Sequence, residues 1–426
     1  MIFGILMGGF LILLLIDVPI AFALLGGSMI AMFVSAKTVM PAAQAMISTV
    51  DSFALLTIPL FIAAGDLMNR GGITTRLVDL SHALVGHFRG SLAQTGVVAA
   101  TLFGSVSGSA VADTAAVGSA VIPPMIKQGY SNAFSAALIA TAGTIGMLMP
   151  TSITLIIFAL TANVSIAKLL VAGLIPGMII ALLLCVYVYF YALRRGIEHT
   201  ERFSLSKLLR ATAKAIIPGI TPVIIVTGIV GGVFTPTEAG AVAVVYAAFI
   251  GAFVYRELDW KGLLASAVHT TVITGLVMFL IFTSFAFSWV ITLERVPETF
   301  ASYLLNNTNS ALTVFVLMNL FLLAIGTFLD PTPTILITVP IFLPIAMQFG
   351  IDPTHFAIVF VINMAIAQVS PPAGTVLFTA CGLARVSMAQ VTPPLMPLMG
   401  VLLVSLAFFM LTPSLVLMLP NLLFAK

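Results

Sequence analysis

The residues of this chain best suited to chemistry are oxygen donors set among helix breakers. Gly104 to Asp113 reads Gly-Ser-Val-Ser-Gly-Ser-Ala-Val-Ala-Asp. The hydroxyls of Ser105, Ser107 and Ser109 can act as ligands, and Gly104 and Gly108 permit backbone conformations other than helix. Gly326 to Thr334 (GTFLDPTPT) repeats the recipe with glycine, hydroxyls, an acid and two prolines. A further interruption follows each: Gly143 to Ser152 (GTIGMLMPTS) after the first and Gln368 to Thr375 (QVSPPAGT) after the second. Gly104 and Pro150 lie 46 positions apart, Gly326 and Pro371 lie 45 apart, so the two halves carry the same pair of breaks at the same spacing. Matched breaks in two halves of an apolar chain point to a binding site between structural repeats.

Carbonyls of an unwound helix and uncharged hydroxyls suit a hard monovalent cation such as sodium, and prolines 150, 371 and 372 leave upstream carbonyls without an intrahelical donor. Two sodium sites are therefore expected. The first joins Ser105, Ser107 and Gly108 to Gly143, Gly146 and Pro150; the second joins Gly326 and Thr332 to Ala367, Ser370, Ala373 and Thr375. Helix N-termini at the tips favour an anionic substrate, with Ser109, Ser152 and Asp330 as its polar contacts. A carboxylate repels another, so Asp330 suits a sugar hydroxyl, an ammonium or a bridging cation. Asp113, one helical turn beyond Ser109, is either a functional intramembrane acid or a brace for its hairpin.

These breaks need a membrane-embedded frame. The 426 residues are 61% hydrophobic and 7% charged, against roughly a quarter charged in soluble domains, and mean hydropathy is +1.21. The fold expected is all-α and polytopic: about ten or eleven transmembrane helices and two re-entrant hairpins in two inverted-topology repeats. Residues 1–50 form an N-terminal scaffold helix broken at Asp17-Val18-Pro19, and the first apolar run, lacking a basic leader, stays as a helix. The first repeat covers 51–193, with a hairpin at about 92–124, a broken helix at about 133–160 and a plain lipid-facing helix to Leu193. Residues 194–214, with Arg194, Arg195, Arg202, Lys207, Arg210 and Lys214, form a basic cytoplasmic arm on the membrane surface. Scaffold helices follow at 215–262, the second capped at Thr237 with Glu238 behind it. The second repeat spans 263–390, with a polar turn at 294–309, a hairpin at about 312–347 and a broken helix at about 356–382; residues 391–426 hold a C-terminal helix.

A net charge of +3, dispersed, gives nucleic-acid binding no support. Cys185 and Cys381 read as small buried hydrophobes, with no disulfide or metal motif.

The stretches FGSVSGSAVADTAAVGSAVIPPM (103–125), AGTIGMLMPTS (142–152), FTPTEAGAVAVVYA (234–247), GTFLDPTPTILI (326–337) and SPPAGTVLF (370–378) together resemble the large membrane (M) subunit of tripartite ATP-independent periplasmic (TRAP) transporters, in the ion transporter superfamily. That resemblance implies a multi-pass protein of the bacterial inner membrane. It implies an elevator in which both hairpins slide against a scaffold carrying substrate and sodium. It implies two partners, a separate four-helix membrane subunit of Q type and a periplasmic substrate-binding protein of P type, and organic acids such as dicarboxylates and sialic acid as substrates. Met147-Leu148-Met149-Pro150-Thr151 departs from the proline pair common in relatives, which leaves the carbonyl ligands of the first site open.

The function expected is a sodium-coupled symporter importing an organic anion, a carboxylate such as a dicarboxylate, sugar acid or sialic acid, without enzymatic activity and with sodium in place of any cofactor. The alternatives are a proton-coupled or partner-independent anion transporter, a passive channel, and an intramembrane hydrolase. A hydrolase needs an activated nucleophile or paired acids, and no histidine lies near Ser107 or Ser109 in sequence.

Overall fold

A computed structural model describes residues 2–35, 40–50, 52–197, 203–308, 310–372 and 374–424, and among these every regular element is helical. Among the described residues seven helices are long and apolar enough to cross a membrane, eight if the bent pair Asn132–Leu148 and Ile153–Ala162 is one span, and five shorter apolar helices accompany them. Several segments expected as single crossings are split, which is why the long helices are fewer than the expected ten or eleven.

The N-terminal scaffold segment is one such case. Asp17 sits at φ +66° and turns the chain, so that Ile2–Leu15 and Ile20–Val34 pack against each other instead of forming one kinked helix. Gly27 makes this possible: a Cβ there would stand 3.0 Å from the backbone nitrogen of Phe10. Helix Thr57–Arg70 then packs along Pro236–Phe249, joined by a buried bond of 2.8 Å between the Thr57 and Thr237 hydroxyls. Thr237 is therefore a bridge. The cap is Thr235, which accepts from the Glu238 backbone while Glu238 reaches back to it, with Pro236 at the first helical position.

Two further expectations are corrected. Lys207, Arg210 and Lys214 lie in the first turns of one continuous helix, Leu205–Val230, in place of a separate surface arm; Arg202 falls outside the described residues. The polar stretch after Glu294 is a helix, Val296–Asn307. The supposed plain helix Leu174–Arg195 also has two faces. Met178, Leu182 and Phe190 are exposed, whereas Pro176, Gly177, Ile180 and Leu184 are buried.

Both hairpins and both broken helices form as expected. Hairpin 1 is Ser91–Ser107 and Ala110–Lys127; hairpin 2 is Ala311–Gly326 and Pro331–Gln348. Broken helix 1 runs Asn132–Gly143, a tight turn Thr144–Leu148, then Ile153–Ala162 at 43° to the first part. Broken helix 2 runs Pro353–Val369 and Thr375–Ala384. They are antiparallel. Asn132, opening the first, donates to the carbonyl of Ala384, closing the second, at 3.1 Å. At the other end Phe158 meets Phe360 with ring centroids 5.4 Å apart. The start of each lies beside the end of the other, the arrangement of inverted repeats. A patch linking Arg76 to Glu257 (2.8 Å) and Tyr255 Oη to the Lys214 carbonyl (3.1 Å) gathers charged residues beside the basic start of helix Leu205–Val230.

Candidate transport site

In hairpin 1 the first arm ends at Ser107, the chain turns through Gly108 at φ +65°, and Ser109 caps the second arm. The left-handed turn favours glycine, and the Thr151 carbonyl group occupies the space a side chain would need. So tight a turn brings Ser107 Oγ onto Asp113 Oδ1, six residues ahead. Asp113 is fully buried, and its other oxygen, Oδ2, has no hydrogen-bond partner among the described residues; neither does the neighbouring Thr114 hydroxyl.

Backbone crowds this orphaned oxygen. A Cβ on Gly104 would lie 2.8 Å from Asp113 Oδ2 and 2.6 Å from the Cα of Gly146, so two glycines meet here because neither can carry a side chain. Thr151 Oγ1 donates to the Gly104 carbonyl at 3.1 Å and the Ile153 N–H donates to the Gly108 carbonyl at 3.3 Å, tying the tip to the break in broken helix 1. Gly143 faces Thr114, and Pro150 is buried in the break. Ser105 spends its hydroxyl on the Leu102 carbonyl at 2.6 Å. A buried carboxylate with an unused oxygen, ringed by glycine backbone and a free hydroxyl, fits a small cation: left unpaired, such a charge is costly.

In hairpin 2, Gly326 ends the first arm against Ala367, where a Cβ would approach the Ala367 methyl to 2.8 Å. Asp330 is the N-cap of the second arm, yet its side chain makes no capping bond. It turns instead to the break in broken helix 2, where Oδ1 accepts from Gln368 Nε2 at 3.3 Å and lies 3.2 Å from Thr375 Oγ1. Ser370 donates to the Ile366 carbonyl at 2.8 Å, and Thr334, fully buried, donates to the Asp330 carbonyl at 2.9 Å. Ala373 lies outside the described residues.

Between the tips is a cavity of about 420 Å³. Its polar wall is Ser109 and Thr154 from the first repeat and Asp330, Thr332, Gln368 and Thr375 from the second. Its other wall is apolar, including Ile62 from helix Thr57–Arg70 and Ile273, Leu276 and Leu280 from helix Trp260–Leu293. None of its described lining residues is cationic. A larger cleft of about 540 Å³ against Asn163 to Ala167 touches neither tip.

Of the residues expected at the substrate, Ser109 and Asp330 line this cavity and Ser152 does not. Ser152 is fully buried as the N-cap of Ile153–Ala162, donating to the Met147 carbonyl at 2.5 Å and accepting from the Leu155 N–H at 3.1 Å. Thr375, expected at the second sodium site, stands with Asp330. Sequence reasoning passed over Gln368, an amide at the end of an apolar helix whose polarity was its signal, and Thr114, whose signal was its place beside Asp113.

Two re-entrant tips meeting over a cavity at paired helix breaks describe a carrier, and the comparisons say which kind. Residues 7–415 match the family described as tripartite ATP-independent periplasmic transporter, DctM component. The chain belongs to this family. It is thus a TRAP large permease, an integral inner-membrane transport subunit and not an enzyme. Its relatives include the C4-dicarboxylate TRAP transporter large permease protein DctM of Pseudomonas aeruginosa, 38% identical over 93% of each chain. Another is the 2,3-diketo-L-gulonate TRAP transporter large permease protein YiaN of Escherichia coli, 36% identical over 97% of each. Among solved structures the YdaH transporter of Alcanivorax borkumensis shares the fold, with a TM-score of 0.62, 14% identity and 87% of each chain covered.

Proposed function

We propose that this TRAP large permease is a sodium-coupled symporter that imports an organic anion by an elevator movement. The observation that carries this reading is the cavity bounded by both hairpin tips, with the unpaired Asp113 oxygen buried just behind one of them. A cation bound at Asp113, Thr114 and the Gly104, Gly143 and Gly146 backbone would offset the buried charge and hold hairpin 1 against broken helix 1. Docked in that way, the helix that starts at Ala110 would turn its free N–H groups toward the cavity, where they favour an anion. Gly326, Thr332, Ala367 and Ser370 supply the oxygens and close packing for a second cation at the opposite break. Sodium would then order the tips and the ordered tips would receive the substrate, so that neither travels well alone.

The elevator reading is supported by the unlike walls of the cavity, one built from tips and breaks, the other from apolar helices along which the first could slide. The family description places this chain as one component of a tripartite system. A separate four-helix membrane subunit and a periplasmic substrate-binding protein are the partners proposed. Uptake of labelled acid into proteoliposomes containing the permease and these partners tests the coupling. Accumulation driven by an inward sodium gradient is expected; uptake indifferent to sodium but following a proton gradient would replace sodium with protons.

A further inference from the structure

The N-terminal helix Ile2–Leu15 and hairpin 2 leave another cavity between them, of about 390 Å³ and away from the tips. Phe3 and Met7 line one side of it. The other side is a stripe along each arm of the hairpin, between Val314 and Ile325 on the first and between Ile337 and Ile345 on the second. At the helical rise these stripes make a slot about 12 to 16 Å long, parallel to the arms. That is about half the hydrocarbon thickness of a bilayer, the depth of one leaflet.

Among the described lining residues the only polar side chain is Thr338, and its hydroxyl is spent on the Thr334 carbonyl at 2.7 Å. Water needs several polar partners to occupy a buried space and finds none here. Toward the tip the slot is closed, because Leu329 and Ile337 pack into one buried cluster with Leu6 and Phe10 of the N-terminal helix. Sideways it is open: Leu317 and Phe321 are 50% and 49% exposed on the outer face of the hairpin, which in a membrane protein meets lipid.

We infer that this slot binds one acyl chain of a membrane phospholipid, which completes the contact between the N-terminal helix and hairpin 2. Such a chain is apolar throughout, reaches one leaflet deep and runs along the helices beside it. A helix of another protein does not fit, since about 16 Å of a cylinder 10 Å wide fills on the order of 1,200 Å³, about three times the space present. A free fatty acid would bring its carboxylate to a lining with no cationic side chain among the described residues. A phospholipid keeps its charged group at the membrane surface and inserts the chain alone. The hairpin that carries Asp330 is thus fastened to the N-terminal helix partly through lipid.

The test places the full chain in nanodiscs of phosphatidylethanolamine and phosphatidylglycerol, with a phosphatidylcholine carrying a diazirine at the end of one acyl chain as the probe. Illumination attaches the probe to the residues its chain touches, and mass spectrometry of the peptides locates the adducts. Labelling of Met318 and Ile341, inside the slot, is expected to saturate as the probe's share of the lipid rises. Labelling of Leu182 and Phe190, exposed on another helix, should rise in proportion. Met7→Trp and Leu317→Trp, which fill the slot from opposite sides, should each abolish labelling at Ile341 and spare Leu182. Slot labelling that never saturates, or that survives both substitutions, overturns the inference. So does labelling by a free diazirine fatty acid that the phospholipid does not reproduce, or a slot that neither probe labels while Leu182 is labelled and the protein elutes as folded.

Discussion

Ser109 and Asp330 hold the same place in the two hairpins: each is the N-cap of a second arm and each lines the central cavity. Four residues on, Ser109 is followed by Asp113 and Asp330 by Thr334, both fully buried. Acid and hydroxyl have exchanged positions between the repeats. One half buries its carboxylate against a glycine break, and the other shows its carboxylate to the cavity. On the function proposed above the two acids would have separate tasks, one toward a cation and one toward the transported ligand.

Asp113→Asn tests the first task. The amide keeps a group for Ser107 to bond and removes the unpaired charge, so the sodium-free protein should melt no lower than the native one. Sodium should stabilise the native protein, by about 2.7 kcal/mol at a hundredfold excess over its dissociation constant, and the variant much less. Melting in sodium chloride against choline chloride gives the comparison; an undiminished sodium shift in the variant would remove Asp113 from the cation site.

Gly104→Ala and Gly146→Ala probe the contact behind that carboxylate. A methyl on Gly104 would sit 2.6 Å from the Cα of Gly146, and that neighbour is backbone, which cannot swing aside. Overpacking of this sort costs about 1–3 kcal/mol. Each variant should lower the melting temperature and lose uptake, while Gly219→Ala, where no atom stands within 4 Å of the added methyl, should be silent. A fully active Gly104→Ala protein would mean that the tip and the break need not touch.

Much of this frame was legible in the sequence because proline, glycine and hydroxyl residues are conspicuous in apolar surroundings. Both hairpins and both breaks fall within a few residues of where Gly104, Pro150, Gly326 and Pro371 place them. What the sequence hid were contacts made across a turn or between repeats. Nothing in the spacing of Ser107 and Asp113 announces a bond, since six residues on a continuous helix point apart; the turn at Gly108 makes it. Ser152 looked like a ligand by its company and proved to be a cap. Gln368 was concealed by the opposite effect, one amide ending an apolar helix, given meaning only by Asp330 on another hairpin. Helix Val296–Asn307 was missed because its polar residues suggested a loop.

The Thr57 and Thr237 hydroxyls form a buried bond between helices Thr57–Arg70 and Pro236–Phe249, and neither residue lines the cavity between the tips. Interhelical bonds of this kind in membranes average about 0.6 kcal/mol by double-mutant cycle. Thr57→Val, Thr237→Val and the double variant should show a coupling of that order in denaturation, with the KM for the transported acid and for sodium unchanged. A shift in either KM would show that this bond also sets the position of the transport site.

Asp330→Asn and Ser109→Ala test the second task and separate it from the first. The amide that Asp330→Asn introduces would still accept from Gln368, so the tip should stay folded; the missing charge weakens only what binds on the cavity side. A KM for the acid raised about tenfold is expected, as for loss of one charge-assisted bond, with the sodium dependence of uptake unaltered. Ser109→Ala removes a cap whose bond to the Ala112 N–H is already long at 3.5 Å, so its cost to stability should lie near the low end of capping values, about 0.5 kcal/mol. Its effect on KM should exceed that on melting, because the hydroxyl faces the cavity. Asp113→Asn should do the reverse of Asp330→Asn, raising the sodium concentration for half-maximal uptake more than the KM for the acid. If the two aspartate variants instead move the same parameter by the same factor, the carboxylates act on one ligand together and the division of labour between the hairpins is lost.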